Sequence, residues 1–166
     1  MVTLLGIPVL TLLVILQTSV ISRLNISYGQ ADLVMIFILA WTLQEKSKTG
    51  LWWAIAAGML LSIVSAVPLY GYLIGYCLIT LIAIFARKRL WKIPMMIMVV
   101  LSFIGTFIVL VISFGLISVT QVSLPFMDSF VKIMLPSAAM NMVLGIPVFI
   151  VVKDLADMVY PTQKHD

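Results

Sequence analysis

The stretch 94–119, PMMIMVVLSFIGTFIVLVISFGLISV, contains no Asp, Glu, Lys, Arg or His. As a helix it is long enough to cross the hydrocarbon core of a bilayer, which is about 30 Å thick. Where no water is present, only a helix pairs all its backbone groups within one segment. The stretch therefore predicts a membrane-spanning helix, and the rest of the chain repeats its pattern.

The charged residues of the chain fall in short gaps between apolar runs of this kind. Of the 166 residues 63% are hydrophobic and only 10% are charged. We therefore predict an all-α fold, a polytopic membrane bundle of six helices that forms a single integral membrane domain over residues 1–166. The predicted spans are 2–21, 33–44, 51–67, 72–86, 94–119 and 135–152. The run 33–44 is short for an upright span, so it either crosses a thinner region or is covered by other helices.

The basic residues predict the orientation. With six spans and a cytoplasmic N-terminus, only Arg23 and Lys132 fall outside, and the basic residues that fall inside are Lys46, Lys48, Arg87, Lys88, Arg89, Lys92, Lys153 and Lys164. The positive-inside rule then places both termini in the cytoplasm. We interpret the patch 87–92 as a topology marker and not as a nucleic-acid surface. Trp52 and Trp53 follow a polar gap, where aromatic residues of the membrane interface are expected.

The residues that membrane catalysis or ion coupling would use are scarce. The chain has one cysteine, Cys77, and one histidine, His165, too few for a zinc site or a Cys/His nucleophile. Asp32 stands at the start of the second run, and an acid at a helix N-terminus is electrostatically favourable. We interpret it as a helix-end residue. We therefore expect no enzymatic activity, no catalytic residue, no cofactor, no metal and no nucleic-acid partner.

The third span carries small residues at every fourth position. Such a ridge lets helix backbones approach closely, which matters in lipid because apolar helices gain little by associating there. Its members are Ala54, Gly58, Ser62 and Ala66. Gly71 and Gly75 repeat the spacing at the start of the fourth span. The ridge either packs against the fourth helix or docks a partner's span, and both interpretations stay open.

Three amide side chains stand within the predicted spans, and one of them, Gln44, ends the second span. Gln17 lies late in the first span and Asn141 lies in the sixth, on one face with Ser137 and Gly145. An amide in hydrocarbon requires an interhelical hydrogen-bond partner. Internal hydrogen bonding is the favoured interpretation, and lining a small cavity or meeting a partner protein are the alternatives.

The order of these features resembles a known family. The first span closes with Leu16-Gln17-Thr18-Ser19, and Ala31-Asp32-Leu33 opens the second. The third contains Ala57-Gly58 and is followed by Pro68 and Gly71, and the sixth begins with residues 135–141, LPSAAMN. Over nearly its whole length the chain thus resembles the bacterial rod shape-determining protein MreD family. It departs from that family at Ala31, where proline is frequent, and at Ser62, where an acid is frequent.

The resemblance implies a non-catalytic subunit of the cell-elongation machinery in the bacterial plasma membrane. Such a subunit binds the membrane anchor of MreC and acts with MreB, RodA and a penicillin-binding transpeptidase in lateral peptidoglycan synthesis. The partner-interface candidates are then the small-residue ridge, Gln17 and Asn141; self-association stays open. The alternative is a substrate-binding S-component of an energy-coupling-factor vitamin transporter, which has a similar six-helix architecture. That class displays an AxxxA face on its first helix, where this chain has Pro8, Leu12, Leu13 and Leu16.

Overall fold

The computed structural model describes residues 2–19, 29–65, 70–89, 93–119, 127 and 130–160. Within these ranges the chain is almost wholly helical, which confirms the all-α prediction. The helices are α1 (Val2–Ser19), α2 (Leu33–Leu43), α3 (Gly50–Val64), α4 (Tyr70–Arg89), α5 (Pro94–Val119) and α6 (Leu135–Val159). A π-helical turn, Phe130–Met134, leads directly into α6.

Three of these segments are long and apolar enough to cross a membrane. They are Tyr70–Arg89, Pro94–Val119 and Phe130–Val159. Shorter apolar helices lie at Gly6–Ser19, Leu33–Leu43 and Gly50–Val64. The composition of the described helices is therefore that of a membrane protein.

Two helices extend beyond their predicted ends. α4 continues through Lys88 to Arg89, and α6 continues seven residues past position 152, the predicted end of the sixth span. The turn Phe130–Met134 also lies in the gap between the predicted spans 94–119 and 135–152. Lys and Arg are good helix formers, and their charge is favourable near a helix C-terminus. In α4 and α6 the first charged residue therefore marks the end of the apolar run and not the end of the helix. Residues 20–21 and 66–67 of the predicted spans lie outside the described part of the chain.

The short helix α2 occupies the centre of the bundle. It contacts each of the other five helices, and every residue from Val34 to Leu43 is buried. Eleven residues give a helix of only about 16 Å. Of the two explanations for the shortness of the run 33–44, cover by other helices is therefore the one observed. The apolar surroundings of α2 are supplied by the protein itself.

Arg87 of α4 closes the C-terminal end of α2. Its Nη1 donates hydrogen bonds to the carbonyl oxygens of Thr42 (2.8 Å), Gln44 (2.7 Å) and Ser47 (2.8 Å). The last carbonyls of a helix have no partner within the helix. The guanidinium therefore satisfies backbone groups at the point where α2 ends inside the protein.

An aromatic stack joins α2 to α3. The rings of Trp41 and Trp53 lie 4.6 Å apart and nearly parallel, and Phe37 lies 5.7 Å from Trp53. Trp53 is only 4% exposed, whereas Trp52 is 65% exposed. The ring of Trp53 therefore packs α3 onto α2, and of the two tryptophans only Trp52 is exposed as an interfacial anchor would be.

One end of the bundle gathers three basic segments. Arg87 contacts the turn after α2, and Lys46 in that turn donates to the carbonyl oxygen of Tyr160 at 2.9 Å. Lys153 of α6 shares a cavity with Arg87. We call this the basic end, defined by Lys46, Arg87 and Lys153. Successive spans cross a membrane in opposite directions. The C-terminal ends of α2, α4 and the sixth span are therefore expected on one side, which predicts this grouping.

Candidate functional site

Gln17 and Asn141 meet at the opposite end, where α2 begins. The side-chain oxygen of Gln17 accepts a hydrogen bond from the backbone N–H of Val34 at 3.0 Å. The side-chain oxygen of Asn141 accepts from the backbone N–H of Asp32 at 2.8 Å. The first N–H groups of a helix lack partners within it. Both amides therefore bond to backbone donors around the first turn of α2.

Asp32 is the N-cap of α2 and also a tertiary contact. Its Oδ1 accepts from the backbone N–H of Met35 at 3.0 Å, as expected of a helix-end acid. The hydroxyl of Tyr76, on α4, lies 2.7 Å from both carboxylate oxygens. Tyr76 is fully buried. The interpretation of Asp32 as a helix-end residue alone was thus incomplete, because its carboxylate also joins α2 to α4.

The hydrogen bonds continue into α5. The side-chain N–H of Asn141 donates to Thr106 Oγ1 at 2.8 Å, and Thr106 Oγ1 donates to the carbonyl oxygen of Ser102 at 2.6 Å. One connected set of polar side chains therefore links five helices. We call it the Asp32 cluster, defined by Gln17, Asp32, Tyr76, Thr106 and Asn141.

The segment before α2 lies against the start of α6. The backbone N–H of Gln30 donates to Ser137 Oγ at 3.0 Å. A Cβ atom on Gly29 would lie only 2.6 Å from the Cβ of Pro136, so this approach requires glycine. The contact fixes the chain just before Asp32 and sets the position of the cluster.

All members of the Asp32 cluster except Tyr76 line a small cavity of about 130 Å³. Gln17, Asp32, Thr106, Ser137 and Asn141 contribute polar atoms, and Asp32 is only partly buried because it faces this space. A cavity of this size and polarity has room for a few water molecules. Asp32 is the single acid in its lining, and the described residues contain no group of three His, Cys, Asp or Glu side chains placed to bind a metal.

The small-residue ridge lies elsewhere, between α3 and α4. Ala54 and Ser62 are buried, and a Cβ on Gly58 would lie 2.7 Å from the Cα of Leu73. Ser62 Oγ donates to the carbonyl oxygen of Gly58 at 2.6 Å. These three residues are occupied by packing within the chain and offer no exposed surface to a partner. Ala66 lies outside the described residues.

Two members of the cluster were not singled out from the sequence. Tyr76 has a neighbour of its own type one turn earlier, Tyr72, and both hydroxyls fall in an apolar run. A buried tyrosine hydroxyl usually finds a hydrogen-bond partner, so this pair was a usable signal. Thr106 gave no such signal, because a threonine in a membrane helix can bond to its own backbone.

Comparison with known proteins gives no relative from which a role for these residues could be transferred. No family model matches the chain, and no curated protein or solved structure matches it significantly. The contacts of the Asp32 cluster alone indicate what it does, which is to fix the start of α2 against α1, α4, α5 and α6.

Proposed function

We propose that this chain is a non-catalytic scaffold subunit of the bacterial cell-elongation (rod) complex, similar to MreD. It crosses the bacterial inner membrane six times with both termini in the cytoplasm. It binds the membrane anchor of an MreC-like bitopic protein. Through that partner it acts with MreB, RodA and a penicillin-binding transpeptidase in cell shape and lateral peptidoglycan synthesis.

The observation that carries this proposal is how the interior polar groups are used. Gln17 and Asp32 accept from N–H groups of the first turn of α2, and Asn141 accepts from the N–H just before it. Tyr76 and Thr106 complete the same set of bonds. These side chains position a central helix. That use favours a structural subunit over a catalytic one, in which such groups would be directed at a substrate.

The outer faces of the bundle supply surface for a partner's span. Large apolar side chains are exposed on each helix except α2, for example Leu12, Ile63, Phe85, Met96 and Val143. In a membrane such faces contact either lipid or another helix. A partner's helix replaces lipid where the two helix surfaces pack closely against each other. The grouping of cations at the basic end supports the proposed orientation.

Depletion and cross-linking test this proposal together. Depleting the protein from a rod-shaped host that encodes it should give round cells, and this chain should restore rods. A photo-cross-linking residue at Leu12, Ile63, Phe85, Met96 or Val143 should capture the MreC-like protein from at least one face, whereas the buried position Leu10 should capture nothing. Rods that persist after depletion, or no such capture from any of the five faces, would contradict the proposal.

The cavity beside Asp32 is the feature of the described residues that most favours the S-component alternative. In that interpretation Gln17 and Asn141 would line an outward vitamin pocket. Pockets for such ligands usually measure about 300–1,000 Å³, whereas this cavity measures about 130 Å³. The polar atoms that would bind a vitamin are also used to hold α2. A nanomolar vitamin found by isothermal titration would reverse the order of the two proposals.

A further inference from the structure

A second cavity, of about 210 Å³, lies at the basic end. Its floor is apolar and is formed by Leu43, Ile97 and Phe149, all buried. Arg87 and Lys153 also line it. The cavity therefore combines an apolar interior with two cations, at the end of the bundle where charged residues follow the apolar helices.

Its two cations differ in how they are held. Arg87 is fixed, because its Nη1 bonds to three backbone carbonyls, which are neutral and do not cancel its charge. Lys153 is exposed and forms no ion pair with any residue in the described ranges. Glu45 also lines the cavity. Two cations and one carboxylate leave one net positive charge facing the space.

We propose that this cavity binds the headgroup of an anionic phospholipid. The phosphate lies between Arg87 and Lys153, and the glycerol and first methylenes lie on Ile97 and Phe149. Near these residues the outer faces of α5 and α6 are apolar, so the acyl chains can follow them into the bilayer. Basic clefts between membrane helices at the cytoplasmic side suit such headgroups.

The inference depends on the chain lying in a membrane and not on the rod-complex role. Failure of lipid binding would leave the shape and cross-linking results untouched. Conversely, persistence of rods would not alter a lipid titration on purified protein.

The test is native mass spectrometry of the detergent-purified chain titrated with phosphatidylglycerol or phosphatidylcholine. The wild type should retain phosphatidylglycerol preferentially. Lys153→Gln should weaken that binding about fivefold, since one cation near an anionic lipid contributes on this scale. Glu45→Gln should strengthen it. Both residues are exposed, so the variants should elute from size-exclusion chromatography like the wild type.

Lys88→Gln is the matched control. Lys88 is exposed at the same end of α4 and does not line the cavity, so its loss changes net charge equally and should leave the affinity unchanged. Equal losses for Lys153→Gln and Lys88→Gln, or equal retention of both lipids, would overturn the proposal. Displacement of the lipid by millimolar inorganic phosphate would also overturn it, by identifying the site as one for free phosphate.

Discussion

Replacing Gly58 with leucine should unfold or greatly destabilise the protein. Even the first atom of the new side chain would lie 2.7 Å from the Cα of Leu73, and backbone in a packed helix cannot move aside cheaply. We expect a cost of about 3 kcal/mol or more. For a chain of this size the melting temperature should fall by about 10 °C, measured by thermal size-exclusion chromatography in detergent.

Gly115→Leu provides the control on α5. A Cβ atom there would meet nothing within 4 Å, so the same substitution should be neutral or slightly stabilising through helix propensity. A Gly58→Leu protein as stable as the Gly115→Leu protein would show that α3 and α4 do not pack along this ridge.

Replacing Asp32 with alanine should cost about 2–4 kcal/mol. The change removes the acceptor for the Met35 N–H and leaves the buried Tyr76 hydroxyl without its carboxylate. Tyr76→Phe should cost less, because the ring and its packing remain. In a double-mutant cycle on thermal stability the two residues should show a coupling of at least about 1 kcal/mol.

Asp154→Ala is the matched control for the loss of an acid. Asp154 is exposed on α6, so its removal should change stability by less than about 0.5 kcal/mol. Additive effects of Asp32→Ala and Tyr76→Phe would mean that the carboxylate and the hydroxyl do not interact, and the Asp32 cluster would then lose its central contact.

The apolar runs were sufficient to locate the helices, because a stretch without charges is a local property of the sequence. The shortness of the run 33–44 also indicates that this helix either crosses a thinner region or is covered by other helices. In the structure α2 is buried among the other five helices. Helix ends were less predictable. α6 continues past Lys153 because Val152 and Ala156 still bury one side while charged residues occupy the other.

Contacts between distant residues could not be predicted from local patterns. Gln17 and Asn141 were recognised as amides that required partners, but the sequence did not indicate that both would meet the start of α2. In the sequence Arg87 is one charge of a topology marker, whereas in the structure its guanidinium bonds to carbonyls more than 40 positions earlier. These pairings depend on which helices are neighbours, and local patterns in the sequence do not show that.

The central claim is that the rest of the chain shields α2 from lipid, and tryptophan quenching by brominated phospholipids tests it most directly. A protein carrying Trp52→Phe and Trp91→Phe retains only Trp41 and Trp53, which are 2% and 4% exposed. Its fluorescence should be quenched weakly, whereas restoring Trp52, at 65% exposure, should add a strongly quenched component. Strong quenching of the protein that retains only Trp41 and Trp53 would mean that lipid reaches the stack on α2, and would contradict the account.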